Sequence, residues 1–354
     1  MVFAQSTASP DAYRLHYSHH SKYHSRPQAS ASEESLLEQI RFDNVAKELV
    51  QEAEGRIGSV LDIGAARGGL LKALRTQGVE RVVGMDPSPG CVAAMKADNI
   101  EAFTADLETP VWPIENELFD RIILSHVVEH LYDATAGLKM ALRVLAPHGA
   151  VYVEVPDAAR YVVDGFPPYY FFDPEHINHF DLATLTRLAC QCGLDVARVR
   201  YGNLEVGSSR PYPAIGVWMK PTTTEISPQF SGPAVAVGKY AEACRKAWNA
   251  SLFHGTIRDC LAHNKPLLIW GAGSYTQRLL SHTWPETLRL LALVDSDPGK
   301  QGRCIAGIPV LSPQEGIALA VRHQAKVLIA VALGGQSIGT MVQEMAPELE
   351  WLVC

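Results

Sequence analysis

Several large classes of protein are excluded by what the sequence lacks. No uninterrupted apolar run is long enough for a membrane-spanning helix. Basic residues are the minority charge: 31 Lys and Arg stand against 38 Asp and Glu, a net charge of −7. No basic stripe or face emerges, which argues against a nucleic-acid partner. Cysteine is sparse and scattered, with seven residues (Cys91, Cys190, Cys192, Cys244, Cys260, Cys304 and Cys354) and no CxxC pair. An odd, unpaired set fits reduced thiols and a cytoplasmic location, not a disulfide framework or a zinc ribbon. The opening "MVFAQSTASPDAY" has no apolar core of the secretory kind. Charged residues make up 19% and apolar residues 47% of 354, so a soluble chain with room for two domains is expected.

What is present is a repeated strand, turn, helix rhythm. Residues 1–32 are polar, with "HYSHHSKYHS" in the middle, and read as an N-terminal lid or flexible arm. From Glu33 to Glu54 apolar residues recur at helical spacing (Leu36, Leu37, Ile40, Val45, Leu49). "GSVLDIGAARGGLLKAL" then reads as strand, glycine turn and helix. "VERVVGMDPS", "FDRIILSHVVEH" and "GAVYVEVPD" supply three more short apolar strands. Such runs alternating with helices predict a parallel sheet covered on both faces. The Pro-, Thr- and Ser-rich stretch 220–234 reads as a linker between a first domain, 33–219, and a second, 235–354. In the second, "PLLIWGAGSYTQRLL", "LRLLALVDSDPGK" and "AKVLIAVALGG" repeat the rhythm, and "LEWLVC" closes it as a last strand.

In the first glycine turn, Asp62, Gly64, Ala65, Gly68 and Gly69 stand where a strand becomes a helix. Glycine lets backbone approach a ligand closely, and a helix N-terminus offers free N–H groups. Asp86, at the end of the next strand, can accept both hydroxyls of a ribose. The ordered motifs "LDIGAARGG", "GMDPS", "ADLE", "FDRIILSHVVEHLYD" and "LRVLAPHGAVYVEVPD" resemble the class I S-adenosylmethionine (SAM) methyltransferases over Val60 to Val199. The resemblance implies a seven-stranded Rossmann-like sheet with SAM at the carboxyl ends of its strands. By position it places Asp62 and Gly64 along the methionine part, Asp86 at the ribose, Asp106 and Leu107 beside the adenine, and Ser125 and His126 beside the sulfonium, with Ala65, Gly68 and Pro87 also at the cofactor. Ala66 departs from it, standing where many members carry a glycine.

"HVVEH", 126–130, matches an H-x-x-E-H zinc pattern. That pattern needs both histidines on one helix face, and His126 lies at a strand end. No metal is therefore expected, and Glu129 and His130 read as braces for a loop over SAM. "FFDPEHINHF", 171–180, gathers proton-handling groups in an aromatic frame. A hydroxyl, or a carbon beside a ketone, must lose a proton before it can take a methyl group, and a histidine supported by a carboxylate suits that task. His176 oriented by Glu175 is the expected base, with His179 about one helical turn on. The bland alternative is that the stretch simply starts a helix, with His179 as a cap contact.

The whole chain resembles the sugar C-methyltransferases that act on nucleotide-linked ketosugars, in which the adjacent Glu-His, here Glu175 and His176, is associated with base chemistry. It departs from them in lacking a cysteine-rich zinc domain at the front. The second turn, with Gly271, Gly273 and Thr276 and then Asp295, follows dinucleotide spacing with its third glycine replaced. Tyr275 is bulky beside it, so a degenerate Rossmann-like domain for a nucleotide or for packing is expected, without tight NAD binding. The expectation is thus a two-domain α/β enzyme that methylates a small polar metabolite, foremost a nucleotide-linked sugar. Two alternatives stay open: O- or N-methylation of a secondary metabolite or glycan, and a non-catalytic nucleotide-sugar binder. A homodimer also stays open.

Overall fold

The computed structural model of the chain describes residues 2–3, 9, 36–53, 57–107, 112–114, 116–162, 168–173, 175–206, 210–222, 235–249, 252–280, 287–331 and 334–353. Apart from residues 2–3 and 9, the arm 1–32 lies outside them, as does the linker beyond Thr222. The chain divides into two compact units, one of residues 1–161, 175–206 and 210–237, the other of 162–174, 207–209 and 238–354.

In the first unit, β1 (Val2–Phe3) and helix α1 (Leu36–Glu52) precede a Rossmann-like alternation. It runs β2 (Ser59–Ile63), α2 (Gly69–Thr76), β3 (Arg81–Asp86), α3 (Pro89–Ala97), β4 (Glu101–Thr104), β5 (Phe119–Ser125), α4 (Ala134–Leu142) and β6 (Leu145–Pro156). A short β7 (Asn178–His179), α5 (Leu182–Gln191) and the hairpin β8 (Leu194–Val206) and β9 (Arg210–Pro221) complete it. The seven-stranded sheet has the order β4-β3-β2-β5-β6-β9-β8, and only β9 runs against its neighbours. This is the α/β sheet that the sequence motifs imply. The runs inside strands such as "SVLDI" and "RIILS" are apolar because helices cover both faces of the sheet, with the polar residues left toward the strand ends. Leu61, Val83, Ile122 and Val153 are fully buried.

The order reverses at β2, so the crevice of the sheet opens at the carboxyl ends of β2 and β5. The turn after β2 needs unusual backbone. Gly64 has φ +77°, and a Cβ there would meet the Val127 side chain at 2.5 Å. Ala66 sits in the same left-handed region at φ +48°. Its methyl group costs about 1–2 kcal/mol there, against about 0.5–1 kcal/mol of extra chain entropy lost on folding a glycine. Ala66→Gly is therefore expected to stabilise the fold by about 0.5–1 kcal/mol, read as a rise in Tm; a fall would show that the methyl group earns its place by packing.

The second unit holds α6 (Val235–Asn249), α7 (Leu252–Ala262), β10 (Leu267–Trp270), α8 (Ser274–Leu280), β11 (Leu290–Val294), the hairpin β12 (Cys304–Ile305) and β13 (Ile308–Leu311), α9 (Pro313–His323), β14 (Lys326–Ile329), α10 (Gly335–Met345) and β15 (Trp351–Val353). Its sheet order is β12-β13-β11-β10-β14-β15, parallel from β13 to β15. This is a smaller Rossmann-like sheet with its reversal at β10.

The aromatic stretch is divided between the units. Tyr169 packs on Trp248 at 5.9 Å between ring centroids and Phe171 on Tyr240 at 5.6 Å. Arg278 donates to the carbonyls of Tyr169, Tyr170 and Phe172 at 2.7–3.1 Å. These contacts lie within the second unit, whereas Glu175, His176 and Phe180 belong to the first. The helical spacing expected between His176 and His179 does not occur. Asn178 and His179 form β7 against Val2 and Phe3, and the helix begins only after Asp181, whose carboxylate accepts the Thr184 N–H in a capping box. His179 is therefore not the cap.

Candidate active site

The residues at the carboxyl edge of the first sheet are held by one another. Gly64 and Ala65 donate their N–H groups to the Met85 carbonyl at 2.8 and 3.0 Å, which folds the glycine turn onto β3. Asp86 ends β3 with both oxygens engaged: Oδ2 accepts the Ala66 N–H at 2.9 Å and Oδ1 the Ser88 N–H at 2.8 Å. Pro87 follows, and Ser88 caps α3. Burial pushes Asp86 up to about 6, with the two N–H donors restraining the rise. Asp62 is 4% exposed. Burial, with the Asp86 charge adding and Arg41 opposing, pushes it up to about 8.

A carboxyl raised in the fold above its unfolded value disfavours folding once the unfolded chain ionises. The contribution of Asp62 to stability is thus lost progressively as pH rises from about 4 to about 8. In the ligand-free protein, the Tm advantage of Asp62→Asn over the native chain is expected to widen across that window and level off above it. A pH-independent difference would contradict the burial argument.

Gly68 is the N-cap of α2, with φ +77°. Asp106 and Leu107 follow β4; the Asp106 carbonyl accepts the indole N–H of buried Trp112 at 2.9 Å. Ser125 ends β5, and His126 next to it has φ +57°, a strained backbone of the kind that collects at functional sites. The topology thus brings Asp62, Gly64, Ala65, Gly68, Asp86, Pro87, Asp106, Leu107, Ser125 and His126 to one edge of the sheet.

Beneath that edge lies a network that the sequence motifs did not single out. Glu154 of β6 is completely buried. Its Oε1 accepts Arg41 Nη2 at 2.8 Å, and its Oε2 accepts the Tyr152 hydroxyl and lies 3.4 Å from Arg200 Nη1. Arg41, from α1, also donates to Ser125 Oγ at 3.0 Å, tying the first helix to the end of β5. Burial disfavours the Glu154 charge, but His126 and Arg41 outweigh it and hold the carboxyl well below its usual range. His126 stands between two carboxylates, Nδ1 3.1 Å from Glu129 Oε1 and Nε2 3.4 Å from Glu154 Oε1. Burial lowers its pKa, and the two carboxylates more than reverse that. The signal for Glu154 was one acid inside an otherwise apolar strand, "VYVEV".

A second cluster joins the turn Val128–His130 to the segment before β7. His130 and His176 meet edge to face at 4.8 Å between centroids. Nδ1 of His130 lies 2.8 Å from the Glu175 carbonyl. The ligand-type atoms of Glu129, His130 and His176 all lie within 4.8 Å of one another. The backbone carbonyl of Glu175 thus meets this cluster, and a carboxylate grouped with His176 is that of Glu129. Burial raises Glu129, but the hydrogen bond to His126 and the charges of His130, His126 and His176 hold it at about 2. His179 is 6% exposed, 3.2 Å from the Tyr161 hydroxyl, and burial pushes it down to about 4, so its ring is neutral. The segment is fastened to the sheet edge by the Ala158 N–H on the Phe180 carbonyl at 2.8 Å and by Asn178 Nδ2 on the Leu131 carbonyl at 2.6 Å.

Residues 35–199 match the model of a methyltransferase domain family. A ubiquinone biosynthesis O-methyltransferase of Bradyrhizobium diazoefficiens is 37% identical over 97 residues, 27% of this chain, and the chain spans 38% of that protein's length. Among solved structures, a putative methyltransferase complexed with the Trm112 activator of Haloferax volcanii superposes with a TM-score of 0.43 at 19% identity, covering 52% of this chain and 92% of that one. The N-methyltransferase NodS of Bradyrhizobium japonicum superposes with a TM-score of 0.42 at 16% identity, covering 60% and 93%. The family match falls on β2 to β6 of the first sheet and on its glycine turn, so residues 35–199 carry the sequence of a methyltransferase domain.

Proposed function

We propose that the chain transfers the methyl group of SAM to a small polar acceptor carried on a nucleotide, foremost a nucleotide-linked sugar. The single observation that favours this acceptor is that the two glycine turns are built alike. In the second unit, Asp295 Oδ2 accepts the Ala272 N–H at 2.8 Å and Oδ1 the Asp297 N–H at 2.9 Å. Asp86 makes the same two contacts, with the turn and with the residue two positions on. Two Rossmann-like turns with strand-end acids suit two nucleotides, SAM at the first and the acceptor's nucleotide at the second. Lys300 Nζ, 3.0 Å from Asp295 Oδ2, supplies a cation for a phosphate.

In the reaction, the bond from sulfur to methyl breaks, the acceptor atom takes the methyl group and the acceptor's proton departs. S-adenosylhomocysteine (SAH) remains. Asp62, Gly64, Ala65 and Gly68 line the methionine part, Asp86 and Pro87 the ribose, Asp106 and Leu107 the adenine, and Ser125 and His126 the sulfonium side. Removal of the acceptor's proton is assigned to the cluster of Glu129, His130 and His176, on which turnover depends. O-methylation is a second reading, favoured by the match to the ubiquinone biosynthesis enzyme.

Thermal shift of the full chain with SAH and a panel of nucleoside-diphosphate sugars tests the proposal. A further rise in Tm with one sugar class, lost in Asp295→Ala, is expected. No response to any of them, or a micromolar response to NADH, would overturn the assignment of the second unit.

A further inference from the structure

The cluster of Glu129, His130 and His176 has the make-up of a metal centre. Two imidazoles and a carboxylate are the donor set of open, catalytic first-row sites, zinc among them. Their ligand-type atoms lie within 4.8 Å of one another, although 46 residues separate His130 from His176. Around a cation with bonds of about 2.0–2.1 Å, tetrahedral ligand atoms stand about 3.3 Å apart, so modest side-chain rotation closes the set.

Two further observations point to a ligand. Glu129 is 1% exposed, its Oε1 faces His126 at 3.1 Å, and its Oε2 has no hydrogen-bond partner among the described residues. A buried carboxylate oxygen left without a donor is costly and calls for a cation or a proton. His130 is also oriented as a ligand. With Nδ1 donating to the Glu175 carbonyl at 2.8 Å, the lone pair falls on Nε2, which lies 3.9 Å from Glu129 Oε1. Metal-bound histidines are commonly fixed in this way, by a backbone carbonyl on the far nitrogen. The H-x-x-E-H pattern in the sequence is thus only half used: His126 turns away to bridge Glu129 and Glu154, and His176 takes the second histidine position.

We infer that Glu129, His130 and His176 bind one divalent first-row transition ion, with at least one coordination position left for an oxygen of the acceptor. A cation there would lower the pKa of a bound hydroxyl or enol, so that its proton passes to solvent water before the methyl group moves from sulfur to the acceptor. His176 then acts as a ligand. This role rests on the methyl-transfer reading; the binding of the ion does not.

The test uses the full chain, stripped with a chelator and titrated with Co2+ by visible absorption and with Zn2+ by calorimetry. One saturable site per chain is expected, weakened at least about 100-fold in His130→Ala and in His176→Ala and at least about tenfold in Glu129→Gln, since even outer-shell changes cost 10–100-fold. Replacing His16, His19, His20 and His24 together should leave the site intact. Retained SAH binding shows that each variant is folded. Absence of saturable uptake, or uptake unchanged in both His130→Ala and His176→Ala, would refute the site. Turnover should fall on stripping and return with the added ion. Full turnover after stripping would refute the role and leave methyl transfer standing.

Discussion

Replacing His176 by alanine is expected to lower methyl-transfer turnover by about 10²–10⁴-fold, the usual worth of assistance to proton removal from the acceptor, while SAM affinity stays within about threefold. The imidazole belongs to the cluster with Glu129 and His130, which touches the residues assigned to the cofactor through Glu129 on His126. Its loss is expected to act on the acceptor's activation and not on SAM in its ground state. Glu129→Gln should lower turnover in the same direction. Glu175→Gln should cost much less, because what Glu175 gives to His130 is a backbone carbonyl that the substitution keeps. Steady-state rates with separate SAM calorimetry would check this. Near-full activity in His176→Ala would make the cluster structural and move the search for the proton acceptor to His126 or His179, or remove the need for one.

Asp86→Ala is expected to weaken SAM by about 1.5–3 kcal/mol, the range for hydrogen bonds to a charged group, which is roughly 10–150-fold in Kd. The carboxylate holds the Ala66 and Ser88 N–H groups, so its removal also loosens the turn that approaches the cofactor. The matched substitution Asp295→Ala, at the same position of the second unit, should leave SAM affinity unchanged. Equal losses in the two variants would break the assignment of one nucleotide to each turn.

How much of this was legible in the sequence depended on whether neighbours in space were also neighbours along the chain. The strand "RVVGMD" announces both its burial and its terminal acid, so Asp86 was readable from a short stretch. The same holds for Ile63 to Gly68, where the glycines themselves mark the turn. The pairing of Arg41 with Glu154 was not readable, because 113 residues separate them and the lone acid of "VYVEV" does not name its partner. Only the fold makes one charge in α1 answer another in β6. The aromatic stretch misled for a related reason. Tyr169, Phe171 and Phe172 stand close to Glu175 and His176 in sequence, but their rings also pack on Trp248 and Tyr240, about 70–80 residues on. His176 has a second carboxylate neighbour in Glu129, 47 positions away, which no local motif announced.

The most direct test of the account is the electron density of SAH in crystals of the full chain. The account predicts SAH at the carboxyl ends of β2 and β3, with its ribose hydroxyls on Asp86, its amino-acid end beside Asp62 and Gly64, and its sulfur turned toward Ser125 and His126. SAH found at Gly271 and Asp295 instead, or lying away from Asp86, would contradict it.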